Sequence, residues 1–474
     1  MRFKTNLVIS AVFAALLAFV YFYEIKGGEE REEAAKKARQ LLDFSDHEAA
    51  RIFIERADTA ISVARTPDGW RLQSPVTADA DEKATERYLR NLRETEIERV
   101  VEDSAAAAGN AGLAAKYGLA NPRLRVLIEL SEAVLDTVVL GADSPTERYA
   151  YARRSGENPE IFTVRAWRFD NLDKGIFDLR DRRVLVFDSE EVREIGLSGF
   201  ALEEELAVVR EEEDSWRLMP ADRRADASAV EELLRELSNS EVQSFVSETP
   251  GDEEKANRGL SEPIFEVSLL LGEERAEKRL SIGLEEEDGK HFAFDPSRAP
   301  IFLVDSTLVN AAGRSAHDLR DKQPAAVEDR DAIGRIELWQ GEEPAFTAER
   351  DTTGGWHISA PEDREAKSWK LNSLLGDIDG IEVEEFTVDA AGDAAIDLAS
   401  YGLDVPAVRI QLTDDLEEKL EIRVGEVDGS AYLMRTGVAS VYRVGTDLLE
   451  DLKLGLDDVS KAPVARAADD TTAD

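Results

Sequence analysis

Four histidines, His47, His291, His317 and His357, are the first places to look for metal or acid–base chemistry. No two have the spacing of a zinc pair and no HExxH occurs, so neither a zinc site nor a redox-metal site is expected. "GLEEEDGKH" (Gly283 to His291) has a superficial look of a phosphate loop. Its glycines stand too far apart, His291 replaces the hydroxyl that would ligate magnesium, and three glutamates repel phosphate, so it reads as a hairpin turn. "GLSGF" (Gly196 to Phe200) has the wrong spacing for a nucleophile elbow. "DIDGIEVEE" (Asp377 to Glu385) lacks the ligand spacing of an EF-hand. With 100 acidic residues, carboxylate pairs occur everywhere and none is singled out as a glycosidase-type pair. The absence of cysteine removes disulfides, thiolate metal sites, cysteine nucleophiles and a lipidated N-terminal cysteine. The expectation is a protein with no catalytic residues, no metal and no cofactor.

The remaining candidates are tryptophans. "DGWRLQSP" (Asp68 to Pro75) is matched by "DSWRLMPA" (Asp214 to Ala221) and "GGWHISAP" (Gly354 to Pro361). Trp70, Trp216 and Trp356 could be exposed platforms on which sugars stack, or packing residues that fix a hairpin to a helix. Repetition favours packing, because a core must be rebuilt in every copy and a ligand site need not be. His357 then stands where the other copies have Arg71 and Arg217, which reads as a solvent-facing position.

The elements around each tryptophan repeat in register. Alternating strands precede it, marked by Ile52 and Ile54, by Ile195 and Leu197, and by Ile336 and Leu338. An amphipathic helix follows, with apolar faces Thr85, Tyr88, Leu89, Leu92, then Val230, Leu233, Leu234, Leu237, then Leu371, Leu374, Leu375, Ile378, and with Asp81 and Asp226 as N-cap candidates. Next come "KYGLANP", "NRGLSEP" and "SYGLDVP". In these, Gly118, Gly259 and Gly402 suit a left-handed helix end, and Pro122, Pro263 and Pro406 suit the start of an edge strand. Strands ending in "VVLG" at Gly141, "LSIG" at Gly283 and "IRVG" at Gly425 lead into hairpins. Two copies close on "DLRD" (Asp178 to Asp181 and Asp318 to Asp321), and the third has "GLDD" from Gly455. Each unit of about 140 residues suits one domain. The predicted fold is α+β, with an N-terminal transmembrane helix followed by three tandem, similar domains of antiparallel strands with packed helices.

The expected layout is a cytoplasmic tail 1–6, a transmembrane signal anchor 7–25, a charged helical stalk 26–43, repeat domains 44–185, 186–323 and 324–462, and a disordered tail 463–474. The anchor rests on "LVISAVFAALLAFVYFY" (Leu7 to Tyr23), an uncharged run with interfacial Tyr21 and Tyr23, followed by "YFYEIKGGEE" rather than a cleavage site. Lys26, Arg31, Lys36, Lys37 and Arg39 outnumber Arg2 and Lys4, yet the short basic head before an apolar run has the layout of an export signal. The large part is therefore expected outside, on the periplasmic side of the inner membrane, in a single-pass protein. A formal net charge of −42 makes nucleic acid an improbable partner.

The Asp68–Gly69–Trp70 turn, "KYGLANP" with "SYGLDVP", and "DLRD" together resemble a bacterial family known only as domain of unknown function 4340. The resemblance runs from about Phe44 to Pro463 and is weakest in the middle copy, whose "RGLSEP" lacks the tyrosine. It implies single-pass envelope proteins, often encoded beside ABC-type permeases of the gliding-motility or auxiliary-transport kind, with no catalytic residues to carry over. The expected function is a non-enzymatic, membrane-anchored scaffold or accessory subunit of such a complex, with permease and ATPase partners. The alternative is an extracytoplasmic glycan- or peptide-binding module using domain clefts and the repeated tryptophans. An enzyme would need a deep pocket holding converging carboxylates.

Overall fold

The computed structural model of the chain describes residues 39–461 apart from 46–47, 104–106, 108–110, 131–136, 155–159, 213–214, 328, 352, 390–395 and 415–417. The expected tail 1–6, anchor 7–25, most of the stalk and the tail 463–474 lie outside the described residues. Among the described residues, no helix is long and apolar enough to cross a membrane.

Alternation of apolar and polar residues builds the first strands. In β1 (Ala49–Glu55), Ile52 and Ile54 point one way and face Val63 and Ile61 of β2 (Ala60–Thr66). A one-residue slip would turn that whole face to solvent, so the register is tightly specified. The chain continues through β3 (Gly69–Ser74) and the two-residue β4 (Ala78–Asp79), then a helix at Glu82–Arg93. After it come β5 (Arg99–Glu102), β6 (Leu124–Leu130), β7 (Val138–Asp143), β8 (Tyr149–Arg154) and β9 (Ile161–Arg165). The sheet order is β4-β3-β2-β1-β6-β7-β8-β9-β5. Two four-stranded meanders thus meet where β1 pairs with β6, Ile52 opposite Ile128 and Ile54 opposite Val126.

The second copy has β10 (Val192–Ser198), β11 (Leu206–Glu212), β12 (Ser215–Met219), β13 (Arg223–Arg224), a helix Ala227–Asn239 and β14 (Ser244–Ser247), followed by β15 (Phe265–Leu271), β16 (Ala276–Glu285), β17 (His291–Phe294) and β18 (Ile301–Val304). The third has β19 (Ile333–Gln340), β20 (Glu343–Arg350), β21 (Trp356–Ala360), β22 (Arg364–Glu365), a helix Ser368–Asp379 and β23 (Val383–Asp389), followed by β24 (Val408–Asp414), β25 (Lys419–Val427), β26 (Ser430–Arg435) and β27 (Ser440–Val444). Both repeat the strand order of the first, giving three nine-stranded antiparallel sheets in tandem. The central pairing recurs too: Ile195 faces Leu269, and Ile336 faces Leu412.

Each long helix buries the predicted face. Each fully buried leucine on it contributes roughly 1.5–3 kcal/mol of transfer free energy. Asp81 and Asp226 accept hydrogen bonds from the amides of Ala84 at 2.9 Å and Ala229 at 3.1 Å, satisfying orphan donors of the first turn. In the third copy Lys367 stands at this place, and its ammonium reaches the carbonyls of Asp457 at 2.9 Å and Asp458 at 3.2 Å.

Each copy closes on a short helix, Ile176–Leu179, Ala316–Leu319 or Leu456–Val459. Asp178, Asp318 and Asp458 accept from the amides of Gly175, Ser315 and Gly455 at 2.7, 2.9 and 2.8 Å, so "GLDD" falls in the register of "GIFD" (Gly175 to Asp178), and the residues that align with "DLRD" in the third copy begin at Asp458. The next residue bridges back to the strand end: Ala80 with Arg180, Ala225 with Arg320, Ala366 with Ser460.

By packing, one compact unit ends at Val184 and takes in Glu241–Glu248, and a second unit holds the rest. Inside the first, Arg180 lies 3.5 Å from the centroid of the Phe245 ring and pairs with Glu248 at 2.6 Å. Inside the second, Arg320 lies 3.8 Å from the centroid of Phe386. The end of the expected stalk belongs with the first core: Leu41 and Leu42 are buried there, and the Ile97 amide donates to the Arg39 carbonyl at 2.7 Å.

Candidate functional site

The three repeated tryptophans sit on β3, β12 and β21, second from one edge of each sheet. Trp70, Trp216 and Trp356 are 3, 3 and 5% exposed. Each of these strands packs on the following helix. Over each ring lies the guanidinium of its cross-strand partner: Arg65 at 4.6 Å, Arg210 at 4.4 Å and Arg350 at 4.7 Å. A cation on a largely desolvated indole contributes about 1–2 kcal/mol. The Trp356 Nε1 donates to Asn372 Oδ1 at 3.0 Å, while Trp70 Nε1 has no partner among the described residues. A stacking platform needs an open ring face, and these rings have none to offer. The proline after each strand, Pro75, Pro220 or Pro361, follows a cis peptide bond.

The second set of markers is a backbone contact. Gly118, Gly259 and Gly402 have φ of +70°, +72° and +65°, the left-handed conformation their motif calls for. The turn they make presses on the facing strand, where a Cβ on Gly141, Gly283 or Gly425 would lie 2.4, 2.2 or 2.4 Å from the carbonyl oxygen of Tyr117, Arg258 or Tyr401. The expectation that strands end at these glycines is corrected: β7, β16 and β25 run on to Asp143, Glu285 and Val427, and the glycine marks a close approach instead. Pro122, Pro263 and Pro406 lie two residues ahead of β6, β15 and β24, which are interior strands rather than edges. Standing outside the ladder, the prolines leave no missing donor. Tyr117 meets Tyr151 at a tilt and Tyr401 meets Tyr432 edge-on, with centroids 4.6 and 5.2 Å apart. In the middle copy, which lacks that tyrosine, Arg258 lies 4.6 Å over Phe292.

The model of the family described as "Domain of unknown function (DUF4340)" matches three overlapping stretches, 70–258, 216–396 and 356–468. The chain belongs to this family. Every DUF4340 match opens on one of the buried tryptophans and runs beyond the end of its sheet into the next repeat, or, for the last, to residue 468. Neither the curated proteins nor the solved structures returned a match.

The chemistry-bearing stretches are scattered over the DUF4340 repeats. His291 opens β17, His357 faces Glu365 across β21 and β22, and the His317 ring meets Phe386 edge-on at 5.4 Å; His47 lies outside the described residues. "GLEEEDGKH" is the hairpin between β16 and β17, with Asp288 and Gly289 at φ of +55° and +74°. In "GLSGF", Gly196 is a β10 residue and Gly199 a bend at φ +128°. In "DIDGIEVEE", Asp379 accepts from the Val327 amide at 2.9 Å and pairs with Arg330. Partial burial pushes its carboxyl up, but the Val327 N–H and the Arg330 charge outweigh that and hold it below the usual carboxylate range. Among the described residues, no group of three or more His, Asp or Glu side chains is placed to hold a metal.

One concavity of the second unit has the size of a small-molecule site. A cleft of about 630 Å³ lies between edge strand β13 and the hairpin ends of the third sheet. Arg223, Arg224, Arg320, Lys419 and Arg435 line it, over a floor that includes Ile333, Leu412 and Tyr442. Sequence reasoning passed over these cations. The available signal was "DRRAD", two adjacent arginines in a strongly acidic chain.

Proposed function

We propose that this DUF4340 chain is a non-enzymatic, single-pass envelope protein, anchored in the inner membrane by a transmembrane helix at Leu7 to Tyr23, with its three sheets on the periplasmic side. Its role is that of a scaffold or accessory subunit of an ABC-type transport complex of the gliding-motility kind. The observation that carries this reading is what the repeated residues do. Trp70, Trp216 and Trp356, and Gly118, Gly259 and Gly402 with their facing glycines, are all engaged in packing. Triplication therefore multiplies a structural module and its outer surface, which is what a protein that holds others requires. The apolar run ahead of the modules supplies attachment, and "AVFAALLA" (Ala11 to Ala18) offers small residues against which permease helices can close.

Co-purification of the full chain in mild detergent tests this. Recovery of a permease and an ATPase with it is the expected result, and recovery of the protein alone counts against the reading. A phosphatase reporter fused after Asp474 is expected to be active, since that end faces the periplasm; an inactive reporter on a stable fusion reverses the orientation. A second reading, a ligand-binding module, loses its tryptophan platforms to burial but keeps a cleft, and the size and lining of that cleft favour it.

A further inference from the structure

We propose that the cleft beside β13 binds a small amphipathic anion, with a carboxylate or phosphate head against the cations and an apolar body on the floor. The inference is independent of the membrane role. Its first ground is charge. In a chain of net charge −42, this cleft sets Arg223, Arg224, Arg320, Lys419 and Arg435 against Asp321, Asp329, Asp414 and Glu418, so that cations outnumber carboxylates where the chain as a whole has the reverse. A concave wall of low dielectric focuses such a field.

The second ground is that the carboxylates of the cleft are engaged. Asp321 accepts from the Gln323 amide at 2.9 Å and pairs with Arg224 at 3.4 Å. Asp329 accepts from the Asp331 amide at 2.8 Å, and Asp414 from the Glu418 amide at 2.8 Å. These groups hold turns in place. Glu418 is exposed at the rim. By contrast, the side chains of Lys419 and Arg435 make no ion pair among the described residues, and Arg320 is braced over the Phe386 ring. A braced guanidinium has already lost the freedom that binding would cost it.

The third ground comes from the other repeats. The strand equivalent to Arg223–Arg224 is Ala78–Asp79 in the first sheet, so the fold does not require arginines at this edge. In the third sheet it is Arg364–Glu365, where Arg364 pairs with Asp457 and Glu365 with Lys461. Only the middle copy directs both arginines of this edge into a cleft. The floor completes the site: Ile333, Leu412 and Tyr442 are buried core residues whose edges show in the cleft. Its volume lies within the range of about 300–1,000 Å³ typical of small-ligand sites.

Isothermal titration of the full-length protein in detergent tests the proposal with three probes of one size, phenyl phosphate, benzoate and benzylamine. Saturable binding of one or both anions is expected, and whichever binds names the head group. Benzylamine is expected not to bind. Arg435→Gln and Lys419→Gln should each weaken the anion about tenfold, the effect of losing one charge-assisted contact. Arg154→Gln, at the equivalent of Arg435 in β8 and outside the cleft, should leave it unchanged. Melting of each variant checks folding, and exposed Lys419 carries the test should Arg435→Gln unfold. Failure of both anions to saturate, binding unchanged in the folded cleft variants, or benzylamine binding as tightly as the anions would each overturn the site.

Discussion

Trp70 and Trp356 hold the same place in the first and third sheets and differ by one hydrogen bond. Trp356 Nε1 donates to Asn372, and Trp70 Nε1 has no such partner. Trp356→Phe would give up that hydrogen bond and leave the exposed Asn372 amide to water, whereas Trp70→Phe removes a donor that has no partner among the described residues. The third sheet should therefore lose about 1 kcal/mol more than the first, read by hydrogen exchange of the two sheets in the same chain. Equal losses would show that the bond contributes nothing. Tyr88 gives a pH prediction. Burial, with smaller opposing effects from Arg56 and Asp173, pushes its phenol far above the usual value near 10. A group raised in the folded state gives stability that is complete below about pH 10 and lost as pH climbs above it, because the unfolded chain ionises first. Tyr88→Phe should flatten the alkaline decline of the first unit in denaturant melts from about pH 8 to 11; an unchanged decline would assign it to other groups. Burial of the tryptophans was legible from their repetition alone. The arginine over each ring was not, since Arg65, Arg210 and Arg350 become neighbours of the indoles only once hairpin register is known.

At the scale of elements, the left-handed glycine and the facing glycine form one device. The carbonyl of Tyr401 sits where a Cβ on Gly425 would be. Gly425→Ala must push the turn at Tyr401–Gly402 off β25 and should cost about 2 kcal/mol or more. Gly334→Ala, in β19 with nothing within 4 Å of the new carbon, should stay within about 0.5 kcal/mol. Parallel chemical melts decide, and an equal cost at both sites would discard the close-approach account. Periodicity marked the first strand, the long helix and its buried face in every copy, because alternation and the 3.6-residue repeat are local. It misread Gly141, Gly283 and Gly425 as strand ends. A glycine in an apolar run looks the same whether the strand stops or another backbone arrives, and only the distant carbonyl distinguishes the two. The two-residue strands β4, β13 and β22 are too short to carry any period, and the cleft edge was hidden with them.

For the whole molecule, the excess of acidic side chains sets two effects against each other. Added salt weakens individual ion pairs, most of which are exposed and contribute at most about 1 kcal/mol each. It also screens the repulsion that a net charge of −42 exerts on the folded state. The second effect should win. Raising salt from about 0.01 to about 0.15 M shortens the screening length from about 30 to about 8 Å, and the melting temperature should rise by a few degrees. A fall would show that the local pairs dominate. Three tandem units were legible because the motifs recur in order. The cationic cleft was not, because it assembles residues from β13, from the stretch after Arg320 and from the ends of two hairpins. The central pairing of each sheet has a kinetic consequence. Within each meander, neighbouring strands are close in sequence and can pair early. The β1–β6 contact joins Ile52 to Ile128 across about half of a repeat, so closing that loop should be the slow event in folding. The family limits cut the chain just short of it. A fragment cloned from Trp70 to Arg258 lacks β1 and β2, leaves the β1 edge of β6 unpaired, and should be recovered as insoluble protein.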